Sequence, residues 1–138
     1  MNITTALIID DNATIRELLR QTLKLLGFSL VVDANTGLQG LEHLEHQSFD
    51  VIFLDLELPD IHGTKLIHQL KALAPASPVV VVTAHNTVEN LKFSVQAGAA
   101  GFIAKPFSAG KIQSILQKNL SNHQRLPQPK GLGWASRS

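Results

Sequence analysis

No cysteine or tyrosine occurs in the 138 residues, and aromatic residues make up only 5% of the chain. Without thiols there are no disulfides, thiolate nucleophiles or cysteine-based metal sites, and the cytoplasm is the expected location. Long apolar runs are also missing. The longest candidates, such as Val79 to Val82, are strand-sized and far short of the roughly 18 residues a membrane helix needs, so no membrane association is expected. The start carries no basic leader; Ala6-Leu7-Ile8-Ile9 runs straight into Asp10-Asp11, so no signal peptide is expected.

A strong charge of one sign is lacking as well. The net charge is +1, but residues 122–138 hold Arg125, Lys130 and Arg137 with no acid, leaving nine bases against eleven acids elsewhere. A mildly acidic body argues against a nucleic-acid groove, so no direct nucleic-acid binding is expected. What is present is a globular composition, 44% hydrophobic and 17% charged. A chain of this length can form one domain that buries roughly two-thirds of its unfolded surface. The domain is expected over residues 1–121. Residues 122–138, rich in proline, glutamine and glycine and containing Trp134, read as a flexible basic tail or the start of a linker.

Buried strands are expected at Ala6–Ile9, Phe28–Val32, Val51–Leu54, Val79–Thr83 and Gly101–Ala104, because unbroken apolar runs without alternation suit strands covered on both faces. Helical periodicity lies between them. Ile15, Leu18, Leu19, Thr22, Leu23 and Leu26 mark one face of the first helix, which Gly27 ends. Thr36 is the expected N-cap of a second helix with Leu38, Leu41 and Leu44 on its inner face. Leu66, Ile67, Leu70 and Leu73 mark the third. Val88, Leu91 and Val95 are expected inward on the fourth, and Ile112, Ile115, Leu116 and Leu120 on the fifth. Five strands alternating with five helices imply right-handed crossovers and helices on both faces of a parallel sheet.

Parallel strands bring their carboxyl ends to one rim. Asp10-Asp11 follows the first strand, Asp55 the third, Thr83 closes the fourth, and Lys105 follows the fifth. Three carboxylates gathered there repel one another unless a cation intervenes, and two or three carboxylates plus water suit Mg²⁺ better than Zn²⁺. Lys105 adds a positive charge and Thr83 a hydroxyl. The set describes a site for a small anion beside a metal, with a carboxylate nucleophile at hand. Asp33, Asp50 and Asp60 read as turn or cap residues.

In this order and at these spacings, Asp10-Asp11, Asp55, Leu58-Pro59 with Gly63, Thr83-Ala84 and Lys105-Pro106-Phe107 resemble the response-regulator receiver domain, the CheY-like phosphoacceptor module of two-component signalling. The resemblance covers about residues 4–121. It implies a flavodoxin-like, doubly wound α/β fold with strand order 2-1-3-4-5. It also implies that Asp55 is the phosphorylated residue, with Mg²⁺ held by Asp11, Asp10, Asp55 and the backbone carbonyl of Glu57. Lys105 would pair with the phosphoryl oxygens, Thr83 would hydrogen-bond the phosphoryl group, Phe102 would hold the aromatic switch position, and the Lys105-Pro106 bond would be cis.

Glu57 and His85, each two residues past a pocket residue, would tune the phosphoryl lifetime; otherwise they are exposed loop side chains, as Phe102 would otherwise be core filling. The implied donor is a histidine kinase or histidine phosphotransfer protein. The implied output partner, a protein or a domain, meets the face formed by the fourth helix, fifth strand and fifth helix. Self-catalysed phosphorylation and dephosphorylation would be its only enzymatic activity. Three alternatives stay open: a fragment of a larger response regulator or hybrid kinase, an aspartate-nucleophile phosphohydrolase, and an interaction module that does not switch.

Overall fold

The computed structural model describes residues 4–120. The expected tail at 122–138, with Trp134, lies outside the described residues. The elements run β1 (Thr5–Ile9), α1 (Ala13–Leu25), β2 (Leu30–Ala34), α2 (Gly37–His46), β3 (Val51–Leu54), α3 (Gly63–Leu73), β4 (Val79–Thr83), α4 (Val88–Ala97), β5 (Gly101–Ala104) and α5 (Ala109–Asn119). All strand pairs are parallel, in the order β2-β1-β3-β4-β5. This is the doubly wound, flavodoxin-like arrangement that the family resemblance implies.

Two cores flank the sheet, and alternation along each strand divides residues between them. Ala6 and Ile8 of β1, Phe53 of β3 and Val80 and Val82 of β4 join Leu19 and Leu23 of α1 and Ile112 and Leu116 of α5. Leu7 and Ile9, Ile52 and Leu54, and Val79 and Val81 face the other way, onto Leu66, Ile67 and Leu70 of α3. Both faces of β1, β3 and β4 are therefore covered, which is why their sequences show no polar alternation.

Four expectations need correction. The second strand begins at Leu30 and not at Phe28. Gly27 (φ 102°) closes α1 in a left-handed turn: its N–H bonds Lys24 O at 3.1 Å and the Phe28 N–H bonds Leu23 O at 3.0 Å. This is a Schellman closure, so Phe28 still belongs to the helix end, its ring packed in the same core as Leu23. On α2, Leu38 is exposed, and Gly37 and Gly40 form the buried contact. On α4 the reading inverts. Val88 and Val95 are 67% and 59% exposed and Leu91 is exposed too, while Ser94 and Ala97 face the sheet. Ser94 can be buried because its hydroxyl donates to Asn90 O at 2.7 Å. Leu18 and Leu73 are likewise half-exposed on α1 and α3.

β2 is an edge strand. Its Ala34 carbonyl accepts the Asp10 N–H at 3.1 Å, on the β1 side. The alternating Val31 carbonyl accepts Arg20 Nη1 at 2.6 Å, and Asp33 pairs with Arg16 at 3.0 Å and Arg20 at 2.9 Å.

Candidate functional site

The site is built from the carboxyl ends of β1, β3, β4 and β5. Backbone bonds align these ends: Asp55 N–H donates to Ile9 O at 2.9 Å, and Lys105 N–H to Thr83 O at 2.9 Å. Asp10, Asp55 and Lys105 thus each stand one step past a strand whose ladder fixes their height on the rim, and Thr83 is the last residue of its strand.

Asp10 is 3% exposed and Asp55 7%, whereas Asp11 is exposed at the mouth. Carboxylate oxygens of all three lie within 4.8 Å of one another. Lys105 Nζ sits between two of them, 2.8 Å from Asp10 Oδ2 and 3.2 Å from Asp55 Oδ2. Asp10 Oδ1 accepts the Asn12 N–H at 2.9 Å, and Asp55 Oδ1 accepts the Glu57 N–H at 3.3 Å. Burial raises the Asp10 pKa above its ordinary value, with the Asp55 charge adding to it, and the bonds from Lys105 and Asn12 only partly offset the rise. Burial works to lower Lys105, but the bond and charge of Asp10, then Asp55, outweigh it and raise the ammonium pKa. One cation faces two buried carboxylates, so the pocket is short of positive charge.

That imbalance is the test for a divalent ion. An all-oxygen donor set, short of positive charge and open on the Asp11 side, fits a hard cation such as Mg²⁺. Asp10, Asp11 and Asp55 are the residues whose carboxylates are grouped closely enough to hold it.

Thr83 is fully buried, and its Oγ accepts the His85 N–H at 3.1 Å, which leaves its O–H to donate. Phe102 on β5 is partly buried and packs against the α3-side core. The Lys105–Pro106 peptide is cis. A cavity of about 630 Å³ adjoins the acids, lined by Asp11, Glu57, Pro59, His85 and Phe93 among others. Across its mouth His85 Nε2 meets Glu57 Oε1 at 2.5 Å, so two residues singled out separately in the sequence form one pair.

Some contributors were not visible in the sequence. Arg16 Nη1 donates to the Asp10 carbonyl at 2.7 Å while its Nε holds Asp33 at 3.0 Å, tying α1 to the site. Asp60 is a cap residue, as expected, but the two amides it accepts belong to α2, more than twenty positions earlier. Both contacts cross between elements and leave no local pattern. Asn12, which caps α1 through Ile15 N, does carry one, since asparagine before a helical period is a cap signal.

A parallel sheet whose rim gathers three acids, a hydroxyl and a lysine is the arrangement of a signalling module, and the chain belongs to the response regulator receiver domain family of two-component systems, whose family model matches residues 6–117. Among curated proteins it is similar to the transcriptional regulatory protein ZraR of Escherichia coli, 31% identical over 116 residues, 84% of this chain and 26% of that protein. The chain thus spans about a quarter of the length of the curated relatives it matches.

Among solved structures it is similar to a CheY-like receiver domain protein of Methanospirillum hungatei, with TM-score 0.82, 30% identity, and coverage of 89% of this chain and 98% of that one. It is also similar to the receiver domain of the sensor histidine kinase PA1611 of Pseudomonas aeruginosa, with TM-score 0.77, 27% identity, and coverage of 86% and 98%. That structure holds a magnesium ion in its active-site cleft. No helix among the described residues is long and apolar enough to cross a membrane.

Proposed function

We propose that this chain is a phosphorylation-dependent switch in which Asp55 accepts a phosphoryl group from the phosphohistidine of a histidine kinase or phosphotransfer protein. The observation that carries the reading is Lys105 Nζ held between Asp10 and Asp55, which leaves Asp55 buried and beside a cation. An Asp55 carboxylate oxygen forms the new bond to phosphorus as the phosphorus–nitrogen bond of the donor imidazole breaks, giving an acyl phosphate and a free histidine. Asp10, Asp11, Asp55 and the Glu57 carbonyl would hold Mg²⁺, which would supply charge neutralisation to the phosphoryl oxygens. Lys105 turns from its carboxylates to a phosphoryl oxygen, and the free O–H of Thr83 donates to another.

Phosphorylation adds charge beneath the loops that follow β4 and β5, and their repacking moves Phe102. The α4–β5–α5 face would report the change to an output protein or domain, and the exposed Val88, Leu91 and Val95 suit that role. The similarity to much longer transcriptional regulators favours a place as the receiver of a larger regulator. The phosphohydrolase reading has less support, because Glu57, the nearby candidate for acid–base work, is paired with His85.

The test is intact-mass measurement after incubation with phosphoramidate and Mg²⁺. Wild type gains one phosphoryl group and Asp55→Asn gains none; no gain in wild type, or equal gain in both, defeats the proposal. Following the decay of the same species tests Glu57 and His85 as lifetime residues. Unchanged decay in both Glu57→Asn and His85→Ala leaves the pair without a kinetic role.

A further inference from the structure

The loop from Leu56 to His62 carries the Glu57 carbonyl, and two contacts pin it. At its base Gly63 lies so close to Leu56 that a Cβ there would stand 3.0 Å from the Leu56 carbonyl oxygen and 3.1 Å from its Cα. At its tip Asp60 reaches across to the start of α2, where Oδ1 accepts the Gly37 N–H at 2.9 Å and Oδ2 the Leu38 N–H at 2.9 Å. Ile61 fills the space above Gly37, with its Cδ1 3.0 Å from where a Cβ would be.

The four free amides at the start of a helix need acceptors. In α2 the Gln39 amide bonds the side chain of the N-cap Thr36 at 3.1 Å, while Gly37 and Leu38 depend on a residue more than twenty positions away. Burial works to raise the Asp60 pKa, but the amides of Leu38 and Gly37 outweigh it and keep the carboxyl below its ordinary value, as expected for a carboxylate at a helix N-terminus. Thr36 already supplies the local cap, so the Asp60 clamp joins two elements and does more than finish a helix.

We propose that Asp60 is a positioning residue for the cation site: by clamping the start of α2 it fixes the loop that presents the Glu57 carbonyl, so that cation binding and order at Gly37 and Leu38 are coupled. This rests on the assignment of Asp10, Asp11, Asp55 and the Glu57 carbonyl as the Mg²⁺ site. Pro59, with its fixed φ, stands between Glu57 and Asp60 and transmits the restraint along only three residues. Coupling of this kind is reciprocal. Losing the clamp weakens Mg²⁺ binding, and binding Mg²⁺ slows amide exchange at the start of α2.

Calorimetric titration of the full chain with Mg²⁺ and amide hydrogen exchange test both directions. Asp60→Ala is expected to bind Mg²⁺ about tenfold more weakly, at the low end for loss of a partner that orients a metal site. Asp60→Asn, which keeps one acceptor oxygen, recovers part of the loss and serves if the alanine variant does not fold. In wild type, Mg²⁺ slows exchange at Gly37 and Leu38; in Asp60→Ala it does not. If wild type binds Mg²⁺ and the folded variants bind it equally well, with only faster α2 exchange, Asp60 is a helix cap and the proposal is wrong. If wild type binds no Mg²⁺, the site assignment itself fails and the coupling fails with it.

Discussion

Asp10 holds a buried carboxylate against a second one, and Lys105 compensates only part of that repulsion. Its pKa in the fold is raised above the unfolded value of 3.8, so the folded state binds its proton more tightly than the unfolded chain does. The stability lost to ionised Asp10 is therefore absent below about pH 4 and fully present above the raised value. Asp10→Asn keeps an acceptor for the Asn12 N–H and leaves Lys105 with Asp55. In metal-free buffer at pH 7 it is expected to melt about 3 °C above wild type, the shift that roughly 1 kcal/mol gives a domain of this size. The gain should vanish near pH 3, and Mg²⁺ should stabilise wild type more than the variant, because a ligand adds stability only to the form that binds it. Thermal melts at the two pH values, with and without Mg²⁺, check all three outcomes.

At the scale of elements, β1, β3 and β4 were legible because burial on both faces leaves a short apolar run, bounded by turn residues. Helix faces were less so. The α4 face was misassigned because periodicity identifies an apolar stripe without saying which way it points, and Ser94 and Ala97 leave no hydrophobic signal although they meet the sheet. The start of β2 was displaced because Phe28 is as apolar as a strand residue but is held by Leu23 O. On α2 the buried contact is made by glycines, which hydropathy passes over. Gly40 is close-packed on Ile9: a Cβ there would lie 2.9 Å from Ile9 Cγ1 and nearer still to its Cδ1. Alanine improves helix propensity by about 1 kcal/mol, but forcing a methyl into a full core costs about 1–3 kcal/mol, so the clash wins. Gly40→Ala is expected to lower the urea midpoint, and a raised midpoint would show that α2 can move outward freely.

Across the whole molecule, the rim constellation was the most legible feature, because parallel topology converts five separate sequence positions into one place. The ties between elements were not legible: Arg16 on the Asp10 carbonyl, Asp60 on α2 and Glu57 against His85 are long-range pairings of residue types that are ordinary in their own neighbourhoods. The surface gives its own prediction. Because Val88 and Val95 are exposed, Val88→Ser with Val95→Ser should change stability by no more than about 0.5 kcal/mol per site. If the α4 face is the output surface, the same pair should weaken partner binding while leaving phosphoryl uptake intact. Loss of both functions together, or of neither, would place the output elsewhere.

The clasp of Arg16 and Arg20 on β2 bears on a different matter, the company the protein keeps at high concentration. A parallel sheet ends in strands with unused backbone groups, and such borders invite a foreign strand and the growth of aggregates. Here Arg20 already occupies the outward carbonyl of Val31, and the Asp33 side chain is bound by two guanidinium groups. An intruding strand would have to strip off Arg20 and desolvate that charge cluster before gaining its first hydrogen bond. This border is guarded by α1, the same helix whose Arg16 braces Asp10, so one helix both supports the rim and hinders growth of the sheet at its β2 edge.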